Sequence, residues 1–176
     1  RSCLVGSEMC IRDRFISQMP SIDAKAVSLV RQRNEKLLKP SGSLGIVEDI
    51  VEWVAGWQGS YPPKVNNITL SIFVSNHGTA DTHKISPYPT TVTEALVKSF
   101  RSDHAVINQI CKTHNVGLQV FDLALEMPTK NITENAAMTE NDCITTILYG
   151  REALDTSPDI ICLGCLLYTS DAADES

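Results

Sequence analysis

Ile68-Thr-Leu-Ser-Ile-Phe-Val74, followed at once by Ser75-Asn-His-Gly78, is the stretch on which the fold turns. A short apolar run rich in β-branched residues fits a strand buried within a sheet. The polar, glycine-containing turn directly after it marks the carboxyl end of that strand. Working outward, the chain alternates. Asp23 to Leu38 has apolar residues at helical spacing, with Ser21 or Asp23 placed to cap it and Lys39-Pro40 to end it. Ser43 to Gln58 repeats that pattern through Leu44, Val47, Ile50, Val51 and Val54, and stops at Gly59 and Pro62-Pro63. A loop from Ser75 to Pro89 leads into helices over Thr91–Phe100 and His104–His114. A second strand over Val116–Leu123 has Asp122 at its end. Thr139 to Leu154 reads as a helix, with Thr139-x-x-Asp142 resembling a capping box. Asp159 to Leu163 reads as a third strand, arriving at Gly164.

Strands separated by helices predict parallel βαβ units, hence an α/β sheet covered on both faces. In such sheets ligands sit beyond the carboxyl ends of the strands. The candidate residues are therefore Asn76, His77 and Gly78 after the first strand, Asp122 after the second and Gly164 after the third.

Both ends of the chain are set apart from this reading. Cys3 to Arg14 (CLVGSEMCIRDR) and Cys165 to Glu175 (CLLYTSDAADE) resemble translated sequencing adapter, read from opposite strands. The first run does not fit a signal peptide, because Leu4-Val5 is followed by Gly, Ser and Glu where a continuous apolar segment is required. The expected domain plan is thus adapter over 1–14, the N-terminal part of an α/β domain over 15–164, and adapter over 165–176.

The 176 residues hold 15 Lys+Arg and 21 Asp+Glu, a net charge of −6. Without the basic Arg1, Arg12 and Arg14 and the acidic Glu8, Asp13, Asp171, Asp174 and Glu175, the balance stays acidic. An acidic chain with no basic stripe argues against nucleic acid as a partner. No apolar run approaches the roughly 18 residues of a membrane span, so the expected setting is cytoplasmic. Cys111, Cys143 and Cys162 are scattered in apolar surroundings and read as small core hydrophobes. Cys111-x-x-His114 lacks a second ligand pair, and Cys162-x-x-Cys165 draws on the suspected adapter, so no metal site is expected. The sequons at Asn67 and Asn131 have no consequence without secretion.

Two loops carry the candidate chemistry. Pro40-Ser-Gly-Ser-Leu-Gly45 joins two helices. Gly42 and Gly45 permit positive φ or close approach, and Ser43 is placed to cap the helix that follows, whose first amides could face an anion. A plain helix–helix turn explains the same residues. His77 with Gly78 beside it is either a ligand-facing or a hydrogen-bonded structural histidine. Ser86-Pro87-Tyr88-Pro89 is a rigid turn carrying a hydroxyl and a ring, and Tyr88 could stack on a flat heterocycle or merely pack the loop. Asp122 could orient a hydroxyl or cap a turn. His83, His104 and His114 read as surface residues.

Taken in order, KPSGSLGIVEDIVEWVAGWQG (39–59), SIFVSNHGTA (71–80), ISPYPTTVTEALV (85–97), AVINQI (105–110), VFDLAL (120–125), AAMTENDC (136–143) and DIICLG (159–164) resemble the N-terminal half of nicotinate-nucleotide–dimethylbenzimidazole phosphoribosyltransferases. The resemblance covers essentially all of residues 25–164. It implies a Rossmann-like three-layer α/β/α fold with a parallel sheet, here truncated, and a homodimer. It implies transfer of phosphoribose from nicotinate mononucleotide to 5,6-dimethylbenzimidazole, giving α-ribazole 5′-phosphate and nicotinate, with neither metal nor cofactor. Ser86 and its loop, with Tyr88, would line the base pocket above Asn76, His77 and Gly78; Pro40, Gly42, Ser43, Gly45, Asp122 and Gly164 complete the implied substrate-binding set. The family more often has Asp where this chain has Asn76, so no general base is assigned there. The family's phosphate loop (Gly-Glu-x-Gly) and its catalytic glutamate have no counterpart here, so the 176 residues alone are expected to be inactive. The alternative is a non-catalytic α/β module binding a benzimidazole-like heterocycle. An unrelated phosphate-binding α/β protein ranks below both, because the glycine loop at 42–45 follows a helix where G-x-G-x-x-G or a P-loop follows a strand.

Overall fold

A computed structural model describes residues 19–85, 88–153 and 157–166. The chain divides into two compact units, residues 1–64 and 65–176.

Among the described residues the first unit is a helical pair, α1 (Ala24–Glu35) and α2 (Ile46–Gln58). Asp23, not Ser21, caps α1: its Oδ1 accepts from the amides of Lys25 (2.8 Å) and Ala26 (3.1 Å). The helix ends at Glu35, three residues before the expected Leu38. The amides of Lys36 and Leu37 turn back to Arg33 O and Asn34 O, tightening the last turn well ahead of Pro40. The pair is held by Ala26, Val30 and Ala55, small side chains that let the helices approach. Of the apolar stripe expected for this helix, only Val54 is buried; Leu44, Val47, Ile50 and Val51 are exposed.

The second unit is a parallel sheet of β1 (Ile68–Val74), β2 (Gly117–Asp122) and β3 (Ile160–Leu166), in the order β2-β1-β3. Between β1 and β2 lie α3 (Gly78–His83), α4 (Thr91–Arg101) and α5 (Val106–His114); between β2 and β3 lies α6 (Glu140–Glu152). The register sets Ile72 opposite Val120 on one side and Gly164 on the other. Asp159 secures the start of β3, its carboxylate accepting from the amides of Asn66 and Asn67 at 3.0 and 2.9 Å.

Alternation along β1 sends Ile72 and Val74 to one face and Phe73 to the other. Val97 of α4 packs on the first face together with Ile107 of α5. Full burial of such a side chain contributes about 1.5–3 kcal/mol. On the opposite face Phe73 stacks on Phe121, and Tyr149 of α6 meets Phe121 edge-on. Helices thus lie on both sides of the sheet, as expected, but the α6 layer is thin. No described residue of α6 is buried, and Leu163 of β3 is 66% exposed.

Several expectations are corrected. The segment 75–89 is not all loop, since it contains the short α3. The helix expected from His104 starts at Val106, because Asn108 Oδ1 accepts from the amide of Ala105 at 3.2 Å. The third strand continues through Leu166, which places Gly164 inside it, opposite Ile72, and not at its end. Of the three cysteines expected in the core, Cys111 is buried; Cys143 and Cys162 are exposed, because α6 and β3 carry little cover. Thr139 and Asp142 do form the capping box read from the sequence: Thr139 Oγ1 accepts from Asp142 N, and Asp142 Oδ2 accepts from Thr139 N, both at 3.1 Å.

Candidate functional site

The first and second strands release their chains side by side, since Val74 is the register partner of Asp122. The segment after β2 then folds back over the end of β1. Leu123 N donates to Val74 O, Thr129 N to Asn76 O, and Gly78 N to Thr129 O. Asn76, His77 and Gly78 are therefore fastened to residues 125–131, which no local pattern in the sequence links to them.

Each of the three has a distinct part. Asn76 is buried, at 9% exposure, and its Nδ2 donates to Leu125 O at 2.9 Å. Its Oδ1 is also buried and accepts no hydrogen bond. A buried acceptor left unpaired costs about 1–3 kcal/mol. His77 lies with Nε2 2.9 Å from Ser75 Oγ and Nδ1 3.1 Å from Thr129 Oγ1. Burial pushes its imidazole below the usual histidine range, favouring the neutral ring. Either hydroxyl can donate or accept, so both tautomers find partners. Gly78 is required by space: a Cβ there would sit 2.6 Å from Thr129 O. Of the two readings of His77, the structural one is met by these two hydrogen bonds.

A cleft of about 200 Å³ opens here, lined by Asn76, Thr90, Thr91, Glu94, Leu125 and Pro128. Thr90, Thr91 and Glu94 come from the start of α4. Sequence reasoning singled out only Asn76 among them. Glu94 reads as an ordinary helix-surface charge, and Leu125 and Pro128 lie past the strand end itself. The usable signal was the position of the whole 123–131 loop after β2, where the strand-end rule applies as much as to Asp122.

The other candidates are placed as follows. Asp122 is at the end of β2 but does not line the cleft; it pairs with Arg101 at 2.8 Å, partly in solvent. Tyr88 is 62% exposed and is not among the lining residues. Ser86 and Pro87 lie outside the described residues; in sequence Ser86 stands four positions before Thr90. Pro40, Gly42, Ser43 and Gly45 belong to the first unit and are exposed there. Gly45, not Ser43, is the N-cap of α2, at φ 54°, a left-handed value that favours glycine. Glu48 organises that loop. Its Oε1 accepts from Lys39 Nζ at 2.7 Å and Leu44 N at 3.1 Å, and its Oε2 from Asn34 Nδ2 at 2.6 Å. These contacts, led by Lys39, hold its carboxyl down at about 2. Glu48 thus takes up the amide of Leu44, one residue before the N-cap of α2. Among the described residues, no group of three or more His, Cys, Asp or Glu is arranged to hold a metal ion, and no helix is long and apolar enough to cross a membrane.

A family model described as phosphoribosyltransferase matches residues 19–166. The chain belongs to this family. Over 150 residues it is 45% identical to the nicotinate-nucleotide–dimethylbenzimidazole phosphoribosyltransferase of Rhizobium etli (strain CIAT 652) and to that of Brucella abortus (strain 2308). The match covers 85% of this chain and 44% of each relative's length, so the chain spans less than half of these phosphoribosyltransferases. The crystal structure of a nicotinate-nucleotide–dimethylbenzimidazole phosphoribosyltransferase from Thermus thermophilus superposes with a TM-score of 0.71 at 24% identity, over 83% of this chain and 50% of that one. That likeness places the three-stranded sheet and its helices within the α/β fold of the phosphoribosyltransferases.

Proposed function

We propose that the protein of which this chain is a part transfers phosphoribose from nicotinate mononucleotide to 5,6-dimethylbenzimidazole, and that the cleft beside Asn76 receives the benzimidazole. The observation that carries the reading is the 45% identity over 150 residues to relatives named for that reaction. The lining of the cleft supports the second half. Among the described residues it offers an amide, two hydroxyls, a carboxylate and the apolar Leu125 and Pro128, with no Lys or Arg. Such a lining suits a flat neutral base and repels a phosphate or the carboxylate of nicotinate.

In the reaction, one ring nitrogen of the base attacks the anomeric carbon with its lone pair. The bond from that carbon to nicotinate breaks, and nicotinate leaves with the electron pair. The proton on the other ring nitrogen passes to a general base. Neither Glu94 nor any other carboxylate of this chain is assigned that role; the base and the phosphate-holding loop are proposed to lie in the part of the family fold that this chain does not match. The working protein is proposed to be a cytoplasmic homodimer. Residues 15–164 are proposed as its native portion, with adapter-derived flanks, which sequencing the source DNA across codon 164 from native primers would read directly.

The test is to incubate the 176-residue chain with nicotinate mononucleotide and 5,6-dimethylbenzimidazole and assay both turnover and binding. Binding of the base without formation of α-ribazole phosphate is the expected result, with Ser86→Ala weakening it. Measurable turnover would overturn the assignment of the catalytic groups to the unmatched part. No binding of the base would remove the cleft from the proposal.

A further inference from the structure

The helical pair carries a cavity of its own. It measures about 310 Å³, lies among α1, α2 and the turn after α2, and is lined entirely by residues of the first unit. Leu37, Leu44, Val47, Val51 and Tyr61 line it, each 37 to 53% exposed, so the hollow is apolar yet open to solvent. Hydrogen bonds hold its walls from two sides. Beyond α2 the Gln58 amide grips Lys64, with Nε2 donating to Lys64 O at 2.8 Å and Oε1 accepting from Lys64 N at 2.7 Å; the turn closed in this way carries Tyr61 and Pro62. Between the helices Glu48 accepts from Asn34, Lys39 and the amide of Leu44, which ties α1 and the connecting loop to α2. The hollow is therefore shaped before any ligand arrives, as ligand pockets usually are. Its charges do not balance. Glu48 and Lys39 neutralise each other at 2.7 Å, each side chain only 15% exposed. Arg33 also lines the cavity, and among the described residues its guanidinium has no ion pair or hydrogen bond, whereas nearby Arg31 is tied to Glu52 at 2.8 Å. One uncompensated positive charge thus borders a preformed apolar hollow.

We propose that this cavity is a ligand site in its own right, for a small apolar carboxylate whose ring body fills the hollow and whose carboxylate pairs with Arg33. A planar guanidinium matches a carboxylate with two parallel hydrogen bonds, a fit that neither an alcohol nor an ammonium group offers. Glu48 does not compete for Arg33, because its two oxygens are already taken up by Lys39, Asn34 and the Leu44 amide. The proposal does not rest on the reading of the Asn76 cleft. The lining of that cleft includes no Lys or Arg among the described residues, so the two sites sort ligands by charge: neutral rings in one, anionic rings in the other.

The test titrates the full chain with 2-naphthoate and with 2-naphthylmethanol, a neutral molecule of nearly the same shape, following the amide signals of Val30, Leu44 and Val51 by NMR. Because Arg33 is exposed, the expected preference for the acid is roughly three- to tenfold, shrinking as salt is added. Arg33→Gln is expected to erase it, and Lys36→Gln, which removes an exposed cation outside the lining, to leave it in place. Equal binding of acid and alcohol to the unaltered chain would overturn the proposal, as would equal loss of the preference in both variants, which would assign it to the general field of α1. Signals at these three residues that stay unmoved for both probes would remove the site itself. None of these results bears on the base site, whose signals at Thr91 and Leu125 are read in the same spectra. The comparison of the two probes on the unaltered chain decides the matter even where a variant does not fold.

Discussion

One added methyl group at residue 78 meets the carbonyl oxygen of Thr129 at 2.6 Å and the amide nitrogen of Asn131 at 3.1 Å, both backbone atoms that cannot swing aside. Gly78→Ala is therefore expected to lower stability by about 1–3 kcal/mol, the usual range for overpacking. Urea unfolding with an unchanged slope would measure it, and a loss below a few tenths would show that the 125–131 segment moves easily. The same segment explains what was and was not legible here. Asn76, His77 and Gly78 could be picked out because they directly follow an apolar, β-branched run that reads as a strand. The partner of Asn76 is Leu125, 49 residues away, and nothing in either neighbourhood signals the pairing. Glu94 was missed for a different reason. A carboxylate in the first turn of a helix is already explained by the helix dipole, so its place in the cleft leaves no trace in the pattern.

Helices and strands were legible wherever periodicity was strong, and their ends wherever a cap was local. Asp23 and the Thr139–Asp142 box are local and were found; Glu48 closes its loop from inside the first turn of the next helix, so the start of α2 was misplaced. That carboxylate also gives the helical pair an acid limit. Its pKa is depressed from 4.5 to about 2 in the folded chain. The stabilisation is fully present above about pH 4.5 and is lost as pH falls from there through 2. Both tryptophans of the chain, Trp53 and Trp57, lie on α2 and report on it. Tryptophan fluorescence on acid titration is expected to show a transition in that window, and Glu48→Gln is expected to remove most of its pH dependence. An unchanged titration in the variant would mean that Lys39 and Asn34 gain nothing from the ionised carboxyl.

Ile46, Ile50, Trp53 and Trp57 repeat at helical spacing along α2 and are 72, 49, 59 and 46% exposed. The α6 side of the sheet shows Ile147, Leu148 and Leu163 in the same condition. A polypeptide carrying so much apolar surface is expected to self-associate at micromolar concentration. Sedimentation velocity should show mass rising with concentration, and Trp53→Lys combined with Trp57→Lys should shift the population toward monomer. A monomer that melts sharply at all concentrations would contradict this. The order β2-β1-β3 was not readable from periodicity, because a strand's own sequence does not name its neighbours; the resemblance supplied only the general fold. That order has a consequence in time. β1 sits in the middle, and its residue Ile68 pairs with Ile160, about 90 residues further along. At about 5–20 residues per second of synthesis, one edge of β1 stays without its partner for roughly 5–20 s after it is made. The nascent chain thus presents an apolar strand with one open edge to the cell for that interval, and a chaperone that shields that edge on the ribosome is expected to raise the yield of folded chain.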